Sequence, residues 1–424
     1  MKTITIAFQL LVILSSLLAA TIATFRPRRL EPLTALFPPS GLKRISLATV
    51  HWIALIANLV GIVVPFMAFF AACLAFGSSI PPVLSAARLK NKRAWALPVL
   101  LIAGSIAIAI SQPLGLKVLA LPKAAALPFY PVPSRVIKTY EEGLWFEGIA
   151  VGEDGTLYLS GNRGLDFSRA DYYHNAQGEL IARKPDGSER VLFMTHKGFT
   201  SGVPVVARDN SIYLTIHGDT SYIWHIDIGG KSLKFARLPK GSWPNGLDIG
   251  PDGMLYSPDS SLGVIWRVDP TSGRVGVALR DPALLARPFI SLAPGANGLH
   301  FKGHNLLVTV SDRTTVQQYL MDAQGHFGPA TVIASGIPGD DFDIGKDGSL
   351  FITTHPYNTV VRVSPGGERT IVGKMEQHIV GATDAAFGKT GQDRNTLYVV
   401  TDGGAFNGGS KTRGELVMLQ PYAR

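Results

Sequence analysis

Glu147, Asn245, Asn297 and Asp340 are the residues whose types and spacing could do chemistry. Each opens one copy of a repeated phrase: a polar residue, usually followed by Gly, an apolar residue, an Asp-Gly-type turn, then a strand rich in Leu, Ile and Tyr. The copies open at Glu147-Gly148-Ile149, Ser201-Gly202-Val203, Asn245-Gly246-Leu247, Asn297-Gly298-Leu299, Asp340-Asp341-Phe342 and Thr383-Asp384-Ala385. Intervals of roughly 45 residues are those of propeller blades. Six blades around a channel bring equivalent positions together at one mouth. Two carboxylates and two amide carbonyls would then converge. Completed by water, that oxygen set suits calcium, which takes about six to eight oxygens at about 2.3–2.6 Å, with another divalent cation as the alternative. Zinc fits less well, because no Cys or clustered His spacing is present. Asn-Gly is also a common turn dipeptide and accounts for either copy taken singly. Turn chemistry does not account for Glu147, whose side chain is too long for Asx geometry.

The elements that must position these residues are short strands. Turns of Asp-Gly type stand at Asp154-Gly155, Asp252-Gly253 and Asp347-Gly348, with Asp209-Asn210 and Gly303-His304 in their place elsewhere. Strands follow at Leu157-Tyr158-Leu159, Ile212-Tyr213-Leu214, Met254-Leu255-Tyr256, Leu306-Leu307-Val308, Leu350-Phe351-Ile352 and Leu397-Tyr398-Val399. A further alternating strand comes next, clearest at Val264–Asp269 and Val360–Ser364. The expected fold is an all-β six-bladed β-propeller over 135–424, each blade four antiparallel strands.

At the same residues the chain resembles the SMP-30/gluconolactonase/LRE family of six-bladed propellers, kin to diisopropylfluorophosphatase and the paraoxonases. The likeness covers about Arg135 to Gln420 and rests on Phe146-Glu147-Gly148, Pro244-Asn245-Gly246-Leu247, Ala296-Asn297-Gly298-Leu299 and Gly339-Asp340-Asp341-Phe342-Asp343. The resemblance implies a catalytic calcium held by Glu147, Asn245, Asn297 and Asp340. It also implies hydrolysis of lactones or aryl esters, with phosphotriesters as a further class, and Asp340 as base or nucleophile. His217, in Ile216-His217-Gly218, and His355, in Thr354-His355-Pro356, enter on this resemblance as candidate catalytic groups; each also reads as an ordinary polar residue at a channel mouth. Ser201 stands where the paraoxonases carry a His, so a complete His relay is not expected. The competing reading is a non-enzymatic binding propeller with a structural calcium ion, since fold does not dictate function. Gly161 to Gln177, with Arg163, Arg169 and His174, lengthens the first blade and is expected to cover the mouth.

Ahead of the propeller the composition changes. Residues 1–136 hold thirteen Lys and Arg against one acid, Glu31, so the net charge of +9 is concentrated there and the propeller is slightly acidic. Basic residues flank apolar runs, the pattern of membrane segments, and do not interleave with aromatics on the folded domain as in a nucleic-acid surface. No nucleic-acid partner is expected. Residues 1–115 read as a helical transmembrane region with apolar segments at 4–25, 50–76 and 95–112, the first also having the small residues of a signal peptide. Basic clusters on both sides of 50–76 conflict with a single crossing, and a hairpin bent at Pro65 or cleavage of the first segment would relieve it. His51 and Asn58 read as helix-to-helix hydrogen-bonding groups, and Trp52 as an interfacial anchor or a packing residue. No segment carries an acidic residue, which disfavours a transporter. Residues 116–134, rich in Pro, read as a linker. The expected partners are a small ester or lactone and the lipid bilayer, with the propeller on the non-cytoplasmic side. Cys73 is the single cysteine, so the domain has no intrachain disulfide and must stand on packing.

Overall fold

The computed structural model describes residues 2–25, 31–37, 42–60, 65–89, 95–111, 122–166, 173–287, 293–405 and 411–423. These divide into two compact units, 1–121 with 290–292, and 122–289 with 293–424.

The second unit is six four-stranded antiparallel sheets. Their first strands, Trp145–Val151, Thr200–Val206, Asp248–Ile249, Ala296–Lys302, Phe342–Ile344 and Ala382–Phe387, form the inner ring. The second strands, Leu157–Arg163, Ile212–His217, Leu255–Asp259, Asn305–Val310, Leu350–Thr354 and Leu397–Thr401, are buried on both faces. That is why they read as continuous apolar runs: alternate residues point to opposite faces, and each face packs on a different neighbouring blade. Leu306 joins Tyr256 and Leu299 of the core between blades 3 and 4, while Leu307 joins Phe342 and Ile352 between blades 4 and 5. Leu350 likewise serves one core and Phe351 the next. The turns between first and second strands repeat one device, in which the aspartate side chain accepts from the N–H two residues on. Asp154, Asp209, Asp252 and Asp347 do so to Thr156, Ser211, Met254 and Ser349 at 3.0, 3.0, 3.2 and 3.1 Å. Asn210 takes the left-handed conformation, φ 65°, that Gly155 takes in blade 1, φ 80°.

Ring closure was not legible in the repeat. Ser134–Thr139, which precedes the first copy, pairs with Glu415–Leu419 as the outer strand of blade 6. Glu189 on blade 1 fastens this seam, accepting from Lys138 at 2.5 Å, Tyr140 at 2.8 Å and Arg183 at 2.7 Å. Burial pushes the Glu189 carboxyl up, but those three hydrogen bonds outweigh it and hold it below its usual 4.5. A carboxyl depressed on folding contributes stability above its unfolded pKa and loses it as pH falls through the folded value. Glu189→Gln should therefore lower the thermal midpoint at neutral pH, and the gap to wild type should close as pH drops below about 4.5. A gap independent of pH would contradict this account of the seam.

The segment expected as a linker is, from Pro122 on, laid along blade 5. Tyr130 N–H donates to the Ile371 carbonyl at 2.9 Å, Ile371 N–H to Pro128 at 2.8 Å, and Val132 N–H to Val372 at 3.0 Å. An outer strand offers unpaired backbone groups, and a Pro-rich strip with alternate free N–H groups covers them. Residues 116–121 lie outside the described residues.

The first unit is helical: α1 (Lys2–Phe25), α2 (Glu31–Thr34), α3 (Leu42–Val60), α4 (Pro65–Leu89) and α5 (Ala96–Ser111). The apolar run 50–76 covers the end of α3 and the start of α4, with 61–64 outside the described residues. Pro65 opens α4, where its missing N–H would in any case lack a helical partner. Helix α1 packs on α3 and α5, and α4 on α3 and α5. Small residues, Ala19, Ala23, Ala48 and Ala86, line the contacts, while Leu14, Ile53, Ile56, Leu84 and Val99 face outward. Phe70–Arg88 is the one described segment long and apolar enough, by length and composition, to cross a membrane; Leu10–Phe25 and Ala96–Ala107 are shorter apolar helices. His51 meets Ser78 across α3 and α4 at 3.2 Å, and Trp52 Nε1–H donates to Thr24 Oγ1 at 3.1 Å. Asn58 donates within its own helix, to Ala54 at 2.9 Å.

Candidate functional site

Four of the six openers sit at an irregularity in the first strand of their blade, while Asn245 and Asp340 precede theirs, Asp248–Ile249 and Phe342–Ile344. Register shifts fall at Glu147 (between Phe146 and Gly148), after Ser201, across Asn297-Gly298 and at Thr383. A bulge adds a residue, breaks the strand's alternation and re-aims a side chain. Hydrogen bonds around the inner ring then fix the openers. Gly246 N–H donates to the Asn297 carbonyl at 3.0 Å, Gly298 N–H to Asp340 at 2.9 Å, and Asp341 N–H to Thr383 at 3.2 Å. Hydroxyls of the second strands add ties to the next blade, Thr215 to the Asn245 carbonyl at 3.1 Å, Thr309 to Asp340 at 2.6 Å and Thr353 to Thr383 at 2.8 Å. Glycine follows Asn245 and Asn297 because the blades approach closely there: a Cβ on Gly246 would stand 2.9 Å from the Asn297 carbonyl oxygen.

Of the expected metal ligands, Asn297 and Asp340 touch. Asn297 Nδ2 donates to Asp340 Oδ1 at 2.6 Å and to Ser311 Oγ at 2.9 Å. Both amide hydrogens are thereby committed, and the carbonyl oxygen is the polar atom left over. Glu147 lies within electrostatic reach of Asp340. Asn245 is buried in the same register, its N–H on the Pro258 carbonyl at 3.0 Å, and makes no hydrogen bond to the other three.

His355 belongs to this group. Its Nε2 lies 2.9 Å from Asp402 Oδ2 and its Nδ1 3.9 Å from Asp340 Oδ2. Burial pushes the ring's pKa down, but Asp402, Asp340 and Glu147 outweigh it and bring it to about 9. Glu147 is pushed up to about 7, first by burial and then by Asp402 and Asp341, with His355 opposing. Burial also drives Asp340 well above the usual carboxylate range, and the Glu147 and Asp341 charges add to it against His355 and Asn297.

His217 is placed differently. Its Nδ1 lies 3.3 Å from Thr200 Oγ1, its Nε2 hydrogen-bonds the Pro244 carbonyl, and its ring stacks on Trp243. Burial lowers it to about 4, so it is neutral at physiological pH, with Nε2–H on the carbonyl beside Asn245. Ser201 is committed to blade 1, its N–H on Asn162 Oδ1 at 2.8 Å and its hydroxyl on the Gly161 carbonyl at 2.8 Å.

Sequence reasoning missed Asp402. A signal for it was present: His217, Asp259, His355 and Asp402 all stand at or just after the ends of second strands, a second register parallel to that of the openers. It also missed a polar layer along the inner strands. There Asp248 accepts from Phe301 N–H at 2.9 Å, Asp343 from Phe387 at 2.7 Å and Asp384 from Ile149 at 2.8 Å, each stitching one blade to the next. His300 lies between Asp248 and Asp341 at 3.4 and 3.5 Å. Of the expected covering segment, Arg163 pairs with Glu179 at 2.8 Å and with Glu141, while Arg169 lies outside the described residues.

Among the described residues no group of three or more His, Cys, Asp or Glu side chains has metal-binding geometry. The donor set at issue is instead two carboxylates with two amides. Its chemistry fits a hard divalent cation: like charges crowd where burial disfavours them, an amide oxygen is left over, and no Lys or Arg pairs with Glu147 or Asp340 among the described residues.

No protein-family model matches the chain, and no curated protein matches it. Solved structures do. A luciferin-regenerating enzyme is 14% identical over 69% of this chain and 96% of its own, with a TM-score of 0.50. Regucalcin from Agrobacterium tumefaciens, described as a calcium-binding protein, is 19% identical over 70% and 97%, with a TM-score of 0.48. A gluconolactonase from Xanthomonas campestris is 17% identical over 70% and 98%, with a TM-score of 0.47. At these identities the likeness is one of fold: the chain is a six-bladed β-propeller, preceded by a helical unit, of the fold seen in the luciferin-regenerating enzyme.

Proposed function

We propose that the propeller is a divalent-cation-dependent hydrolase of lactones or aryl esters, with phosphotriesters as a further class, and that calcium is the cation. The observation that carries this reading is the Asn297–Asp340 hydrogen bond beside the His355–Asp402 pair, with Glu147 within electrostatic reach of Asp340. Glu147, Asn245, Asn297 and Asp340 would hold the cation. When bound, it would polarise the carbonyl or phosphoryl oxygen of the substrate and stabilise the charge developing there.

The chain's own groups supply the proton chemistry. Asp340 Oδ1 is occupied by Asn297, so Oδ2 is the oxygen placed to take a proton from water. The water oxygen bonds to the acyl carbon, the ester or ring C–O bond breaks, and the leaving alkoxide takes a proton from His355 Nδ1. Asp402 keeps the opposite nitrogen protonated and the ring oriented. His217 acts as a positioning residue, buttressing the Pro244 carbonyl next to Asn245.

The helical unit would tether the enzyme to a membrane, with the propeller on its non-cytoplasmic side. Support comes from Phe70–Arg88, the outward apolar side chains and the flanking basic clusters.

Turnover of a panel of lactones, aryl esters and phosphotriesters, with calcium and with chelator, tests the proposal. Hydrolysis that appears with calcium and vanishes with chelator is expected. A folded, calcium-binding protein inert on every substrate would favour the binding-module reading instead.

A further inference from the structure

Trp243 is held beside Asn245 more firmly than a surface residue and packed less than a core one. It lies on the loop that enters blade 3 from the outer strand of blade 2, Ser232–Arg237. Its N–H donates to Asp259 Oδ1 at 3.2 Å, and its carbonyl accepts from Ser260 N–H at 3.0 Å. Asp259 is itself fully buried and anchored by the N–H groups of Ser261 and Leu262 and by Trp266 Nε1. One face of the Trp243 indole lies flat on the His217 ring, centroids 4.5 Å apart and planes 13° apart. That ring is fixed in turn by Thr200 and the Pro244 carbonyl.

Trp266 shows what a structural tryptophan looks like in this fold: 5% exposed, in an apolar cluster, its N–H on a carboxylate at 2.8 Å. Trp243 is only partly buried and belongs to no apolar cluster. Among the described residues its Nε1–H has no hydrogen-bond partner, and no ring other than His217 lies against it. A rigid aromatic plane with one face packed and one edge unmet, two residues from a candidate cation ligand, suits recognition of a planar apolar group by offset stacking.

We propose that Trp243 determines specificity, selecting esters and lactones that carry a planar apolar group, such as an aryl leaving group, over small aliphatic ones. This rests on the hydrolase reading above. In the calcium-loaded full chain, Trp243→Ala should lower kcat/KM for phenyl acetate about tenfold more than that for a small aliphatic lactone, mainly through KM. Trp243→Phe, which keeps a ring on His217, should restore most of the phenyl acetate activity. Equal losses on both substrates, or none on either, would overturn the proposal.

A second measurement needs no turnover and separates this proposal from the hydrolase reading. Benzyl alcohol titrated into wild type should give a saturable change in intrinsic fluorescence that is absent from Trp243→Phe. Identical titrations in the two proteins would count against Trp243 even if hydrolysis were found.

Discussion

Asp340→Asn should abolish hydrolysis while leaving the cation-free propeller at least as stable as wild type. The exchange preserves shape and keeps an oxygen to accept from Asn297, whose hydrogen bond of 2.6 Å ties blades 4 and 5. What it removes is the charge and the proton-accepting Oδ2. Loss of a positioned general base costs about 10²–10⁴ in rate. With a cation contact weakened as well, a fall of about 10³ or more in kcat is expected, with KM little changed. Stability should move the other way. Burial and the charges of Glu147 and Asp341 already disfavour the ionised form of Asp340, so a neutral replacement relieves repulsion in the cation-free protein. Activity traded against stability at one atom is the signature of a functional carboxylate. A variant that loses both together would mark Asp340 as structural.

The second large effect concerns the cation itself. Calcium should raise the thermal midpoint of the wild-type chain, and Glu147→Gln should remove most of that rise. Glu147 accepts no hydrogen bond from a protein group among the described residues, and burial pushes it up to about 7. A cation bound beside it reverses that shift. A ligand specific for the folded state at a hundred times its Kd stabilises by about 2.7 kcal/mol. For a domain of this size, that corresponds to roughly 4–5 °C. Differential scanning calorimetry with calcium and with chelator reads the effect. An equal calcium-induced rise in wild type and variant would place the ion elsewhere.

Much of this architecture was legible because a propeller is a periodic object. Each second strand must be apolar on both faces, so Leu306-Leu307-Val308 and Leu350-Phe351-Ile352 stood out as strands, and the structure has them there. The opener register was legible for the same reason: one place in each blade maps to one place on the ring. What stayed hidden depends on contacts far apart in sequence. The closing strand Ser134–Thr139 carries no repeat phrase, because it borrows its register from Glu415–Leu419. Asp402 stands in a turn of common residues, and only the fold sets it against His355. The apolar run 50–76 gave no helix boundary by composition, and only Pro65, which opens α4, marked one. His217 and His355 looked equivalent in sequence. Burial against a carbonyl in one case and beside carboxylates in the other separates them into a neutral prop and a charged partner.

The central claim is that Glu147, Asn245, Asn297 and Asp340 hold one cation, and a calorimetric titration of calcium into the chelator-treated full chain tests it most directly. Wild type should show a binding event that is lost or weakened at least about a hundredfold in both Glu147→Gln and Asp340→Asn. Isotherms that superimpose for wild type and both variants would contradict the site, and with it the chemistry assigned to this end of the channel.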